Sequence, residues 1–146
     1  MEELLRHFAE VIESENARLS AISEEQATTL IKEGGWSPKQ VIGHLIDSAS
    51  NNHQRFVRCA LGGGLTGWPG YNTDGWVKLA NYTALPWTQL VEFWAAYNRL
   101  LLHLLRQIPA EARGYRCQIG GEWDSTLEGT AASYVAHLEH HLRTVH

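Results

Sequence analysis

The stretch SPKQVIGHLIDSASNNHQRFVRCALGGG, residues 37–64, predicts a long helix with a clear start and a clear end. Its first four residues, Ser37 to Gln40, combine an N-cap serine, a proline at the first helical position and a glutamine three residues after the cap. The glycine run at its end stops the helix after about Leu61. A helix of roughly 24 residues is long enough to run the length of a helical bundle.

Three further segments carry apolar residues at helical spacing, and we expect a helix over each of them. The first covers roughly residues 2–20, the third begins near Pro86-Trp87 and ends at Gln107, and the fourth begins with the capping pattern Ser125-Thr126-Leu127-Glu128 and ends near Arg143. No segment shows the sustained alternation of a strand-rich protein. The predicted fold is therefore all-α, a four-helix bundle.

Two long connections separate these helices. Residues 62–85 contain several glycines together with Trp68, Tyr71 and Trp76, so we expect a segment packed by its own side chains and not a disordered linker. Residues 110–124 form a second irregular stretch. Connections of this length allow a crossover in the bundle in place of simple up-down order.

The composition bounds the class of protein. The 146 residues suit one domain, which we expect to span residues 1–146. Because 12 Lys and Arg stand against 16 Asp and Glu, the net charge is −4, which argues against a nucleic-acid-binding protein. No apolar run approaches the ~20 residues of a membrane span, and the N-terminus lacks the apolar core of a signal peptide. Cys59 and Cys117 are too few for a disulfide scaffold, which fits a reducing compartment and predicts a cytoplasmic protein.

Two histidines of the fourth helix have the spacing of metal ligands. His137 and His141 are four residues apart, so they project from one face of the helix and can share one ion. His140 points away from that face. A pair at this spacing also arises by chance in a chain with eight histidines, where it often lies half-exposed and binds nothing. A metal site therefore needs a third ligand from elsewhere in the chain.

The second helix offers that ligand. His44 adjoins the apolar first turns of this helix and shares about 100° of arc with four polar residues, Asp47, Ser48, Asn51 and Arg55. Such a stripe either faces solvent or lines a polar cavity in the bundle core, where helical proteins build metal sites. With the pair on the fourth helix, His44 would give a zinc-like ion three ligands and one open position, at which a water or a thiol can ionise.

The sequence resembles the DinB/YfiT-like family in the two segments that carry these histidines. Trp36 to Ser48, followed by Asn51-Asn52 and Arg55-Phe56, resembles the second-helix signature of the family, and Ser133 to Leu142 resembles its last-helix motif. Tyr71 to Trp76 and Trp94 to Asn98 also look like family positions. The match covers most of the chain, in the order that the family has.

This resemblance implies a four-helix bundle with one crossover connection, often a homodimer. It implies a divalent metal ion, nickel or zinc, held by His44, His137 and His141. It further implies a metal-dependent hydrolase, or a transferase that adds a low-molecular-weight thiol such as bacillithiol or mycothiol to an electrophile. One position departs from the family pattern: many members carry an acid where this chain has Ser133. If that acid orients a metal ligand, its loss weakens the expected site.

Two hypotheses of different classes follow. In the first, the chain is an enzyme with a small-molecule substrate: Asp47, Asn51 and Arg55 position the substrate or support the metal ligands, and Tyr134 donates a hydrogen bond to a developing anion. Asp47 is then the only strong candidate for a general base. In the second, the chain is a non-catalytic dimer, metal-stabilised or metal-free, that binds a small molecule or a protein and buries its aromatic loop.

Overall fold

A computed structural model describes residues 1–146 and contains four long helices, two short ones and a small sheet. The helices are α1 (Glu2–Ser20), α2 (Glu24–Thr28), α3 (Pro38–Gly62), α4 (Thr73–Ala80), α5 (Trp87–Gln107) and α6 (Leu127–Leu142). Two 3-10 turns cover Tyr82–Ala84 and Ala110–Gly114. The strands are β1 (Leu65–Trp68), β2 (Arg116–Ile119) and β3 (Trp123–Thr126). None of the helices combines the length and the apolar composition that crossing a membrane requires.

The start of α3 follows from its capping residues. The Ser37 hydroxyl accepts a hydrogen bond from the Gln40 amide at 3.4 Å, and the Gln40 side chain accepts one from the Ser37 amide at 2.9 Å. The helix ends at Gly63, whose φ of 72° lies in the left-handed region that glycine adopts without strain. The predicted capping box and the predicted glycine stop are therefore confirmed.

The predicted start of the fourth helix is wrong by one residue. Thr126, and not Ser125, caps α6, because its hydroxyl accepts a hydrogen bond from the Gly129 amide at 3.0 Å. Ser125 is still extended, since it pairs with Cys117 in the sheet. Ser125 and Thr126 are both good caps, so the sequence pattern alone does not decide between them.

The four long helices surround one core, but their order around it differs from their order in the chain. α1 packs mainly against α5 and α6, and α3 packs mainly against the same two helices. Consecutive long helices α1 and α3 therefore stand on opposite corners, and the connection between them crosses the bundle. The core is one cluster of 32 buried residues that includes Phe8, Phe56, Trp94 and Leu138. The expected four-helix bundle with a crossover is confirmed.

The sheet lies in the two connections that were expected to be irregular. β1 runs parallel to β2, and β2 pairs antiparallel with β3. Because each strand has only four residues, no alternation is long enough to be recognised from the sequence. The expectation of packed connections without strands is wrong in this respect. The sheet matters for function because it covers one side of the bundle next to α3 and α6.

A close approach between α3 and the segment after α4 also depends on glycine. A Cβ atom at Gly43 would lie only 2.0 Å from the ring of Tyr82. The absence of a side chain lets this ring lie against the helix, where its hydroxyl reaches Asp47 one turn further on.

Candidate metal centre

α3 and α6 bring three histidine rings together. His44 of α3 meets His137 and His141 of α6, and one ring nitrogen from each lies within 4.8 Å of the others. The Nε2 atoms of His44 and His137 are 3.2 Å apart. The ring centroid of His141 is 4.6 Å from each of the other two centroids. The three side chains chosen from sequence spacing therefore lie in one cluster.

The cluster has the geometry of a metal-ligand set. Two nitrogens bound at 2.0–2.1 Å to a tetrahedral ion lie ~3.3 Å apart, close to the separation of the two Nε2 atoms. A hydrogen bond between two neutral rings accounts for that distance but not for the approach of His141. Because all three donors are imidazoles and no carboxylate joins the cluster, it suits zinc or nickel better than magnesium or calcium.

The three rings are neutral near pH 7. Burial, together with the two neighbouring rings, lowers the pKa of His44 from 6.5 to about 4. Burial, with His141 and His140 nearby, lowers the pKa of His137 from 6.5 to about 4. Burial and His140 also lower the pKa of His141. Each ring therefore keeps a free lone pair, which a metal ligand must have.

An indole closes one side of the cluster. The ring of Trp36 lies 5.2 Å from that of His44 and 6.5 Å from that of His141, centroid to centroid. This residue precedes the Ser37 cap, a position whose only sequence signal is packing against the start of the helix. Its contact with two candidate ligands depends on how α3 and α6 meet.

A cavity of about 280 Å³ adjoins the cluster on another side. His44 and His137 are in its wall, so two of the three candidate ligands face the space that a substrate can occupy. The remaining wall is mixed, with several hydroxyls, one amide and one guanidinium. It is formed by Ser48, Asn52, Arg55, Tyr71, Thr73, Ile119, Trp123, Thr130, Ser133 and Tyr134.

Of the predicted polar stripe on α3, only part lines this cavity. Arg55 and Ser48 lie in the wall, whereas Asp47 and Asn51 do not. The Asp47 carboxylate accepts a hydrogen bond from the Tyr82 hydroxyl at 2.5 Å, and the Asn51 side chain donates to the Asp47 carbonyl at 2.9 Å. Burial raises the pKa of Asp47, although the Tyr82 hydrogen bond opposes the rise. The expected general base thus lies outside the cavity.

Tyr134 lies in the wall with its hydroxyl directed into the core. The hydroxyl donates to Asn98 Oδ1 at 2.5 Å, and the ring stands edge-on to Phe8 and Phe56. Burial raises the pKa of this phenol. Donation to a developing anion, the expected role of Tyr134, would require the hydrogen bond to Asn98 to break.

Part of the remaining wall carries no signal in the sequence, namely its residues from the sheet. Ile119 and Trp123 come from β2 and β3, and Tyr71 and Thr73 come from the connection before α4 and its first turn. The Trp123 indole donates to the Thr130 hydroxyl at 3.0 Å, which ties the sheet to α6. Ser133, which precedes Tyr134 on α6, also lines the cavity.

The fold and the cluster together define a class: crossed four-helix bundles with a candidate metal centre between the second and the last long helix. Within that class, the chain belongs to the DinB superfamily, whose family model matches residues 2–145. No curated protein sequence is significantly similar to the chain.

Two solved structures are similar in fold. One is YfiT from Bacillus subtilis, described as "a probable metal-dependent hydrolase with an unusual four-helix bundle topology". It is 22% identical, with a TM-score of 0.80 over 99% of this chain and 85% of that one. The other is a mycothiol-dependent maleylpyruvate isomerase, 14% identical, with a TM-score of 0.81 over 99% of this chain. This chain spans 60% of the length of the isomerase.

Proposed function

We propose that this protein is a metal-dependent enzyme in which His44, His137 and His141 hold one divalent transition metal ion, zinc or nickel. A bound ion supplies Lewis acidity, which lets a water molecule or a small thiol ionise near neutral pH and act as the nucleophile. The observation that carries the proposal is the cluster of three neutral imidazoles with two of its rings in the wall of a cavity. The substrate is a small electrophile bound in that cavity.

The comparisons support both nucleophiles. YfiT carries the description "probable metal-dependent hydrolase", and a hydrolase uses water as its nucleophile. The isomerase depends on mycothiol, a thiol. Three neutral ligands leave a divalent site with net positive charge, and this charge favours an anionic hydroxide or thiolate alike. We therefore propose hydrolysis or thiol transfer, and the choice between them needs a substrate screen with and without added thiol.

Other residues of the cavity wall bind and orient the substrate. Ser48, Asn52 and Tyr71 offer hydrogen-bonding groups in the wall of the cavity, and Trp123 adds an aromatic surface at the sheet. Asp47 and Asn51 lie outside the cavity, so we assign them positioning roles. Asp47 acts through Tyr82, which it holds against α3.

Metal analysis of protein purified without a metal-affinity tag tests the centre. About one zinc or nickel ion per chain is expected, because the cluster offers one ligand set. His44→Ala, His137→Ala and His141→Ala should each lose the ion. His140→Ala is the matched control, since this neighbouring ring is exposed and outside the cluster, and it should keep the ion. An equal metal content in all four variants contradicts the proposal.

A second candidate function is non-catalytic. No carboxylate lines the cavity, so no side chain there is an obvious general base. This observation favours a metal-stabilised bundle that binds a small molecule or a protein partner. The two functions separate in one screen: an enzyme turns over electrophiles only when the metal is present, whereas a binding protein gains thermal stability from the metal and turns over none.

Three wider features remain predictions. We propose that residues 1–146 form a single domain, that the protein is a homodimer and that it is cytoplasmic. Limited proteolysis tests the single domain, light scattering tests the dimer, and cell fractionation tests the location. A stable proteolytic fragment, a monomeric mass or a membrane-bound fraction would contradict them in turn.

A further inference from the structure

The cavity has one permanently charged side chain in its wall, and this side chain is a cation. Arg55 lies there among neutral groups such as Ser48, Asn52 and Tyr71. Its side chain is partly buried, and its Nε atom is buried without a hydrogen-bond partner. A partly buried cation that pairs with no carboxylate costs free energy. This cost is offset if an anionic ligand binds there.

Arg55 differs in this respect from an arginine on the surface. Arg99 is exposed and makes two hydrogen bonds to the carboxylate of Glu13, both at 2.9 Å. Arg55, which would gain more from a carboxylate because it is less hydrated, has only a 3.5 Å contact with the side-chain oxygen of Asn52. The guanidinium of Arg99 is thus paired with a carboxylate at the surface, whereas that of Arg55 at the cavity has no carboxylate partner.

No carboxylate of the chain pairs with the guanidinium of Arg55. Asp47, which precedes it on the same helix, is held by Tyr82 and lies outside the cavity. The guanidinium carbon of Arg55 lies 6.0 Å from the centroid of the Tyr71 ring, the outer limit of a cation–π contact. Burial lowers the pKa of Arg55, but a guanidinium stays protonated in proteins. Its charge and donors therefore remain available to a ligand.

The position of Arg55 relative to the histidine cluster limits the ligand's size. Arg55 and His44 lie on one side of α3, ~16 Å apart along the helix axis at the Cα level. Long helical side chains lean towards the helix N-terminus, so the guanidinium leans towards His44. Both residues line the same cavity of about 280 Å³. A small molecule can therefore contact both.

We propose that Arg55 binds the carboxylate of a small electrophilic substrate whose reacting atom faces the histidine cluster; this specificity rests on the metal-dependent function proposed above. The planar guanidinium fork matches a carboxylate with two parallel hydrogen bonds. Away from the histidine cluster, Arg55 is the one charged side chain of the wall, so a carboxylate of the ligand has one partner of opposite charge there. Asn52 and Ser48 can satisfy further lone pairs of the bound group.

Succinate binding to the metal-free protein tests the proposal without any need for activity. In protein labelled with ¹⁵N-arginine, succinate should shift the Nε–H signal of Arg55, and the neutral analogue succinamide should not. Arg55→Met should weaken succinate binding by about 10-fold or more, and Arg55→Lys should weaken it less, because lysine keeps the charge and loses the fork.

Arg58→Met is the matched control. Arg58 lies one turn further along α3, is exposed, and stands 4.9 Å from the centroid of the Trp68 ring, outside the cavity. This variant should bind succinate within about 2-fold of the unmodified protein, since it removes an equal charge that faces solvent. Arg55→Met should melt at the same or a higher temperature, because it removes a partly buried cation that pairs with no carboxylate. An unchanged or higher melting temperature excludes misfolding as the cause of weaker binding.

The outcomes separate this proposal from the proposed function. Absence of succinate binding, equal binding to the unmodified protein and Arg55→Met, or equal binding of succinate and succinamide overturns the role of Arg55. The metal-dependent function fails separately, if the metal-loaded protein turns over no electrophile while succinate binding persists. If the role of Arg55 and the metal-dependent function both hold, Arg55→Met should lower kcat/KM by about 10-fold or more for a carboxylate-bearing electrophile. The same variant should keep kcat/KM for the methyl ester of that electrophile within about 2-fold of the value for the unmodified protein.

Discussion

The two sides of the cavity are built in different ways. The histidine side rests on two long helices: His44 projects from α3, His137 and His141 project from α6, and Leu138 between them is fully buried in the shared core. The opposite side rests on strands of four residues and on the first turn of α4. Core packing over many residues holds the first side. The second side joins the core through Cys117 and Ile119 and otherwise depends on the pairing of its short strands.

This difference separates fixed geometry from adjustable contacts. A metal centre needs its ligands within about 0.5 Å of the productive geometry, which packed helices can provide. The groups that contact a substrate need less precision, and changes on short strands and loops cost little stability. The comparison therefore predicts large stability effects on the helical side and small ones on the sheet side.

The largest effect is expected from Leu138→Ala. Leu138 is fully buried on α6 between two candidate ligands, so the substitution removes core contacts and leaves a cavity. We expect a loss of about 3 kcal/mol in the free energy of unfolding, together with weaker metal binding, because the two histidines lose their fixed orientation. Urea unfolding and a chelator competition measure the two effects.

Leu79→Ala is the matched control for this substitution. Leu79 is 89% exposed on α4, so its truncation should change the free energy of unfolding by no more than about 0.5 kcal/mol. A loss below about 1 kcal/mol for Leu138→Ala would mean that α6 is not held by the core as described.

Removal of the metal is expected to have the next largest effect. An ion that binds the folded chain and not the unfolded one adds about 2.7 kcal/mol at a free concentration 100 times its Kd. Stripping the ion with a chelator should therefore lower the melting temperature, and zinc or nickel should restore it. The His137→Ala variant should show no such response, and an equal response in this variant would contradict a centre formed by the three histidines.

The histidine side could be predicted from the sequence because its signal is local. His137 and His141 are one helical turn apart, and the start of α3 is given by Ser37 and its neighbours, so their positions follow from helical periodicity. That His44 meets them required only that α3 and α6 be neighbours in the bundle. The fold and the candidate ligands are therefore the parts of the protein that periodicity describes.

The sheet side could not be predicted because its strands are short and one of its two pairings joins distant parts of the chain. Leu65 pairs with Cys117, about a third of the chain away in sequence, and four-residue strands show no measurable alternation. The same cause explains why Asp47, the expected general base, does not line the cavity. Asp47 has a suitable position on the helical stripe, but Tyr82 lies over Gly43 and binds its carboxylate, and nothing local in α3 reveals this contact.

A pH titration of the metal-free protein sharpens the comparison. The pKa values of His44 and His137 are about 4 in the folded chain, against 6.5 for the free side chain. Between these values the unfolded chain binds more protons, so stability is fully present above pH 6.5 and falls as the pH drops towards 4.

The double variant His44→Gln/His137→Gln is the control for this titration. It keeps all the other titrating groups and lacks the two buried rings, so its unfolding free energy should depend less on pH between 4 and 6.5. Parallel pH profiles for the two proteins, from urea unfolding at a series of pH values, would show that the rings are not buried as neutral groups.

The smallest effect on stability is expected from Trp123→Phe on the sheet side. This change removes the hydrogen bond from the indole to the Thr130 hydroxyl, which retains its own bond to the Thr126 carbonyl at 2.8 Å. We expect a loss of about 0.5–1 kcal/mol in urea unfolding and no change in metal content, because the α3–α6 contact is untouched. Substrate binding should change all the same, since the ring lines the cavity. A loss of metal from Trp123→Phe would show that the two sides of the cavity are coupled, contrary to the division between a packed helical centre and an adjustable wall.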